Sequence, residues 1–281
     1  MRFRLDGFDT HAFIAATLAE DLGEGGDITS AAVIPSEARF AGVMVKREAI
    51  VVAGLALAEG FFRALDPQAV ITPLAADGDR VPAGTDLMRI EGSARAMLTA
   101  ERSALNTVQH LSGIATLTRQ YVDAIAGTGA TLLDTRKTIP GLRRLEKYAT
   151  RVGGAQNHRM GLWDAAMIKD NHVAVAGGIA AAVQRAVAAG IERIIVEVDS
   201  LDQIAPALDG GATHLLLDNM APDMLRQAVA MIGGRVPTEA SGGVRLDTIR
   251  AIAETGVTYI SVGRLTQSAP AADIGLDFAL L

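Results

Sequence analysis

Short apolar runs alternate with helical stretches from residue 130 onward, and this rhythm predicts an α/β protein whose larger part is a parallel, barrel-like sheet. Two further observations shape that expectation. The first hundred residues have a different rhythm, with strand-like runs that lead into one long helix over 96–126. The length of 281 residues exceeds what one small core uses, while 49% hydrophobic and 21% charged residues exclude a disordered chain. One large domain or two are therefore expected; read as two, they are 1–109 and 110–281, with the C-terminal tail free to pack back on the first.

In chain order, residues 8–20 carry Phe8, Phe13, Ile14 and Leu18 at helical spacing, and the GEGGD stretch at 23–27 ends that helix before a cap-like Thr29-Ser30 pair. Strand-like runs follow at 39–46, 49–52, 69–72 and 85–90. Between the last two, ADGDRVPAG at 76–84 resembles the turns of lipoyl- and biotinyl-carrier domains. No lysine follows at a hairpin tip to accept a cofactor, so the pattern is read as turn geometry. On the long helix Leu98, Leu105, Val108, Leu111, Ala115 and Val122 share an apolar stripe, with Arg102 at its edge, able to point into a site or into solvent.

Six strand candidates come next, at 131–133, 166–168, 193–196, 214–217, 236–238 and 259–262. Helical stretches near 141–153, 176–189, 200–208, 221–232 and 246–255 separate them. Each strand runs into polar or glycine residues: Asp134 to Lys137, Lys169 to His172, Glu197, Asp218-Asn219, Glu239 to Gly243, and Gly263. The carboxyl ends of strands are where a βα barrel builds its active site. Six strands are two short of a closed barrel, so it is expected to be incomplete or to borrow a piece from elsewhere.

Charge narrows the ligand. The chain sums to −6 with aromatics at 4%, a poor surface for nucleic acid, which is not an expected partner. Residues 136–172 nonetheless hold eight Lys or Arg (Arg136, Lys137, Arg143, Arg144, Lys147, Arg151, Arg159, Lys169) against three acids, a balance of +5 that leaves −11 for the rest. A basic island in an acidic chain points to an anionic ligand. Arg143, Arg144 and Lys147 lie in a helix and fit a solvated face equally well. Arg136, Lys137 and Lys169 sit at strand ends, and the GGAQN loop at 153–157 could bring His158 and Arg159 over them. Ser241-Gly242-Gly243, between a strand and a helix, suits a phosphate monoester, with Gly263 as the opposite wall. Glu197 and Asp218 suit a divalent metal or a sugar diol, or else ion pairs with the island. The absence of cysteine excludes disulfides and thiolate chemistry. No apolar run approaches a membrane span, and MRFRLDG at the N-terminus is too charged for a signal peptide, so a soluble cytoplasmic protein is expected. A phosphorylated, metal-bound sugar with a polyanionic leaving group, together with a small acid, fits all these groups.

The same residues carry a strong resemblance. EDLG and GDITS within 20–30, AERSALN at 100–106, LSGIAT at 111–116, DTRKT at 134–138, PGLR at 140–143, LEKYA at 145–149, NHR at 157–159, IKDNH at 168–172, LDNM at 217–220, SGG at 241–243 and SVG at 261–263 resemble quinolinate phosphoribosyltransferases. The resemblance covers essentially the whole chain, and DTRKT with IKDNH is highly specific. It implies the type II phosphoribosyltransferase fold: an N-terminal open-faced α/β sandwich plus an incomplete βα barrel. It also implies the formation of nicotinate mononucleotide, pyrophosphate and carbon dioxide from quinolinate and phosphoribosyl pyrophosphate, with magnesium (Mg), in NAD synthesis.

By that resemblance Arg102, Arg136, His158, Arg159 and Lys169 bind the quinolinate carboxylates, with Arg102 reaching across a homodimer whose sites are shared. Lys137 also faces the pyrophosphate, Glu197 and Asp218 hold the ribose hydroxyls and magnesium, and Ser241, Gly242, Gly243 and Gly263 receive the 5′-phosphate. Lys137, Lys169, Glu197 and Asp218 are the expected catalytic groups, and assembly beyond the dimer stays open. Two positions depart from the family's pattern. Gln267 stands where the family often has His, and Arg264, where a small residue is usual, could supply a replacement cation. The rival readings are a paralogue of the same fold, of molybdenum-locus type or using nicotinate, and a barrel aldolase with Lys169 as its Schiff-base amine.

Overall fold

The computed structural model describes residues 5–279. The first four residues, part of the stretch read for a targeting signal, lie outside the described residues. By its internal contacts the chain forms two units. One takes the chain up to Leu117 together with Arg144–Gly153 and the end from Ala269, and the other takes Thr118–Arg143 and Gly154–Ser268.

In the first unit, α1 (Thr10–Leu22) starts where the Asp9 carboxylate accepts the Ala12 amide and stops at Gly23, whose φ of 48° suits glycine. A short α2 (Ile28–Val33) follows, and its cap is Asp27, not the expected Thr29-Ser30 pair. Strand β1 (Arg39–Lys46) alternates buried and less buried residues, as a half-buried strand must, and β2 (Ile50–Val51) is a short ribbon partner. Helix α3 (Leu55–Leu65) fills the stretch between two strand-like runs for which no element was expected. A Cβ at Gly60 would press on the tip of the Ile14 side chain, which would have to move aside. The α3 N-terminus is capped from a distance: Asp77, in the carrier-like turn, accepts the amides of Gly54 and Leu55. Strands β3 (Val70–Pro73), β4 (Arg80–Val81) and β5 (Asp86–Ser93) lead into the 31-residue α4 (Ala94–Ala124).

In the second unit the repeat begins with β6 (Thr131–Leu133). Helix α5 (Arg143–Val152) interrupts it and, from Arg144 on, belongs to the first unit. Its Glu146 bonds His110, and its Tyr148 hydroxyl donates to Asp77. The helix cations do not form a solvated face. Arg143 is half-buried, donating to Thr138 Oγ1 and the Met160 carbonyl, Arg144 donates to the Asp6 carbonyl, and Lys147 is fully buried.

The repeat resumes with β7 (Ala166–Ile168), then α6 (Asp170–Ala176), where no helix was expected, and α7 (Ile179–Ala188), the helix expected near 176–189; Gly177 and Gly178, both at positive φ, separate the two. Next come β8 (Ile194–Val198), a 3-10 turn with α8 (Ile204–Gly210), β9 (His214–Asp218) and α9 (Pro222–Ile232). The strand expected at 236–238 is β10 (Thr238–Ser241), because Pro237 has no amide to give a ladder, and α10 (Ile249–Ala253) is shorter than expected. Strand β11 (Tyr259–Ser261) and the short α11 (Arg264–Gln267) complete the unit.

These six strands make one parallel sheet in the order β6-β11-β10-β9-β8-β7. The strands at its two edges, β6 and β7, are neighbours in sequence, so the sheet is a barrel left open between them. At the opening, Leu133 at the end of β6 makes a parallel bridge with Gln156. Of the two expected alternatives, the incomplete barrel is the one observed. Side chains alternate across the sheet: Val196, Leu215, Leu217 and Ala240 are buried on one face, while Glu197, Leu216, Asp218, Glu239 and Ser241 point to the other. Ala165, Ile195 and Leu216 form a small apolar cluster on that second face.

The chain then returns to the first unit as β12 (Ile274–Ala279), antiparallel to β1. It extends a sheet of order β12-β1-β5-β3, an open-faced sandwich whose core joins Met44, Met88, Phe61, Phe62, Met97 and Val108 from the strands and helices.

Candidate active site

A cavity of about 880 Å³ opens at the carboxyl ends of the parallel strands in the second unit. It is large enough for two small ligands. After β6, Arg136 and Lys137 line it, and after β7, Lys169. Glu197 and Asp218 come from the ends of β8 and β9. Ser241, Gly242 and Gly243 follow β10, and Gly263 follows β11. His158 and Arg159 complete the wall, held there by more than a flexible loop. The fully buried Asp134 carboxylate accepts the His158 amide at 2.8 Å and the Asn157 side-chain amide at 2.6 Å. Arg102 belongs to the first unit, exposed on α4. Among the described residues it has no hydrogen-bond or ion-pair partner.

The cations are arranged for an anion. Arg159 is buried and donates to the Ala165 carbonyl at 3.0 Å. Burial first, and the neighbouring Arg136 charge second, pull the Arg159 guanidinium below its ordinary value. Among the described residues, Arg136 Nε is a buried donor with no partner. Two adjacent guanidiniums, one with an orphaned donor, are relieved by a ligand that brings negative charge and acceptor oxygens. Lys169 Nζ is ion-paired to Glu197 Oε2, and its side chain remains 43% exposed. A Schiff-base lysine needs a desolvated amine, so this environment does not suit the aldolase reading.

At the opposite side, Gly242 and Gly243 have φ of 90° and 60°, a turn that presents backbone amides. Asn219 also adopts positive φ, at 55°, and its amide donates to the Ser241 carbonyl at 2.8 Å. A Cβ on Gly242 would collide with the Asn219 side chain, whereas one on Gly243 meets nothing within 4 Å. Gly242→Ala is therefore expected to lose about 1–3 kcal/mol of stability and Gly243→Ala clearly less, as read by denaturant unfolding. Equal losses would show that the Asn219 contact plays no part.

The cavity also holds groups that the sequence reading did not select. Thr135, Met167, Leu216, Arg245 and Ser261 line it, as does Glu239. Glu239 is visible in the sequence as an acid near a strand end, but a strand expected at 236–238 leaves it just outside the sheet, whereas β10 includes it. Arg245 is tied to Asp247 through two hydrogen bonds, which raise its guanidinium above the ordinary value. Arg264 and Gln267, the two departures from the family pattern, both line the cavity beside Gly263.

Comparison with known proteins divides the chain once, near residue 113, and places 144–153 and 269–277 with the C-terminal part although their contacts lie in the first unit. Residues 27–112 match the family described as "Quinolinate phosphoribosyl transferase, N-terminal domain", and residues 114–277 match its C-terminal counterpart. The chain belongs to the quinolinate phosphoribosyltransferase family. Within that family it is 46% identical to the nicotinate-nucleotide pyrophosphorylase [carboxylating] of Mycobacterium leprae, covering 94% of this chain and 95% of that one. It is 42% identical to a chloroplastic protein of the same name from Oryza sativa, covering 96% of this chain and 77% of the relative. Among solved structures it resembles the nicotinate-nucleotide pyrophosphorylase of Francisella tularensis, with a TM-score of 0.91, 39% identity and 96% of each chain covered. The corresponding enzyme of Ehrlichia chaffeensis gives a TM-score of 0.93 at 37% identity, covering 97% of this chain and all of that one. The family's sandwich and open barrel are the two units described above, the type II phosphoribosyltransferase fold.

Proposed function

We propose that this protein transfers the phosphoribosyl group of phosphoribosyl pyrophosphate to quinolinate with decarboxylation, giving nicotinate mononucleotide for NAD biosynthesis. The observation that carries this reading is the Arg136–Arg159 pair with its orphaned donor, in one cavity with Lys137 and Lys169. Such a cluster suits a planar dianion better than a monoanion, and so favours quinolinate over nicotinate. In this reading Arg136, Arg159 and Lys169 bind the two carboxylates, and the glycine turn at Gly242 and Gly243, with Ser241 and Gly263, holds the 5′-phosphate. The ring nitrogen attacks the anomeric carbon as the bond to pyrophosphate breaks. Lys137 stabilises the charge gathering on that leaving group. The carboxylate beside the cationic nitrogen then leaves as carbon dioxide, its bonding electrons passing into the ring and a proton replacing it. Most of what the protein supplies is positioning and electrostatics.

Glu197 and Asp218 are the proposed holders of magnesium and of the ribose hydroxyls. Among the described residues no three His, Cys, Asp or Glu side chains gather into a metal cluster. Two carboxylates on adjacent strands fit magnesium, an ion that pairs one or two acids with substrate phosphate oxygens. When bound, the ion neutralises pyrophosphate charge. Glu197→Gln or Asp218→Asn is expected to weaken magnesium-dependent sugar binding about tenfold or more while leaving quinolinate binding measurable. Equal loss of both ligands in calorimetry would contradict that division.

The proposed assembly is a homodimer in which Arg102 enters the partner's site. Its guanidinium, exposed and without a partner among the described residues, supports this. The cytoplasm is the proposed compartment, consistent with a chain that has no cysteine to oxidise. Among the described residues no helix is long and apolar enough to cross a membrane. The activity is tested by supplying quinolinate, phosphoribosyl pyrophosphate and magnesium and measuring nicotinate mononucleotide, pyrophosphate and carbon dioxide. Product from nicotinate, with none from quinolinate, would replace this reading with the nicotinate-using one.

A further inference from the structure

A buried polar cluster in the cavity wall joins His158 to Glu239, an acid with no role in the contacts assigned above. Glu239 is fully buried in β10. His158 Nε2 lies 3.1 Å from its Oε2, and His214 Nε2 lies 3.0 Å from the same oxygen without hydrogen-bond geometry. The His214 ring stacks on Tyr259, with centroids 5.6 Å apart and planes 11° from parallel. Burial alone would raise the Glu239 carboxyl, but the two histidines and the Ser261 hydroxyl outweigh it and hold the group down at about 2. The carboxylate is therefore ionised, enclosed and directed at His158.

The other side of His158 is also occupied. Its Nδ1 accepts the Arg159 amide at 2.7 Å. A neutral imidazole that accepts at Nδ1 carries its proton on Nε2, the nitrogen that faces Glu239. Both ring nitrogens are thus engaged within the protein, which leaves neither for a substrate carboxylate. Arg159, in turn, is held at its amide by His158 and at its guanidinium by the Ala165 carbonyl.

We propose that Glu239 is a positioning residue that acts through His158: it fixes the Nε2–H form of the ring, whose Nδ1 then sets the Arg159 backbone and so aims the guanidinium at the substrate. His158 accordingly leaves the set of direct quinolinate ligands. The inference rests on Arg159 being a quinolinate ligand, and its test separates the two claims. Quinolinate binding is measured by calorimetry for the full-length protein, Arg159→Ala, Glu239→Leu, Glu239→Gln and the Arg159→Ala/Glu239→Leu double variant. Phosphoribosyl pyrophosphate binding and thermal unfolding are followed alongside.

Glu239→Leu should weaken quinolinate binding roughly tenfold, leave the sugar phosphate within about twofold, and add less than about twofold in the Arg159→Ala background. Glu239→Gln keeps an oxygen for the Nε2 proton and should recover affinity to within about threefold of the wild type. Unchanged binding in Arg159→Ala overturns the reading of Arg159 itself. A large Arg159 effect with additive Glu239 losses, or equal loss of both ligands, overturns the positioning role. Should Glu239→Leu fail to fold, the ring nitrogen shifts of His158 in the wild-type protein decide the matter, since a proton on Nδ1 is incompatible with the proposal.

Discussion

Lys169→Ala should lower kcat/KM by about a thousandfold while leaving the protein folded. Lys169 stands directly after β7 and before α6, where its amide meets His172 Nδ1 at 3.1 Å. That backbone contact survives truncation of the side chain. The ammonium itself is ion-paired with Glu197 in the cavity wall and is absent from any apolar cluster. Its removal deletes one cation from the proposed dianion site and leaves the Glu197 carboxylate unpaired where an anionic substrate must bind. The two effects act in the same direction, so the loss should exceed that of a single neutral hydrogen bond. Steady-state kinetics with thermal unfolding checks it. An unchanged rate, or a rate lost together with the fold, would return Lys169 to a structural part.

Mixed dimers of Arg102→Ala and Lys169→Ala subunits are expected to regain about half of wild-type activity, although each homodimer is nearly inactive. The argument begins with the place of Arg102 on α4. It lies beside the buried Ser103, Ala104 and Leu105 but is itself exposed, with no partner among the described residues. A guanidinium held on a rigid helix with its donors unused is suited to bidentate recognition of a carboxylate supplied by another subunit. In an isologous dimer with shared sites, one site of the mixed pair carries both lesions and the other carries neither. Activity should therefore approach one wild-type site per dimer. If subunit exchange is demonstrated by mass and no activity returns, Arg102 does not act across an interface.

Much of the architecture is written in local patterns. The alternation of apolar runs and helices after Gly129 reports a parallel sheet because each strand must bury both faces and each crossover must cover one of them. Turn chemistry placed the polar residues at the strand ends, and DTRKT and IKDNH identified the family. Helix α3 was missed: its LALAEGFFRAL sequence is apolar over most of its length and buries Leu55, Leu57, Ala58, Phe61 and Phe62, so periodicity does not mark it.

Other features depend on partners that are distant in sequence. The sequence by itself determined the six strands of the parallel sheet, the basic island and the glycine turn, because each follows from neighbours a few residues apart, whereas β4 and β12 of the first unit were not expected. Tertiary structure decided how those charges are used. Arg143, Arg144 and Lys147 share one helix and look alike in sequence, yet two are tied to loops and one is buried. Glu239 resembles Glu197 as an acid in a strand, but it meets a histidine 81 residues away and another on the neighbouring strand. A charge costs little in water and much inside a protein unless it is paired. Which charges are buried, and with whom, is therefore settled only when the strands come together.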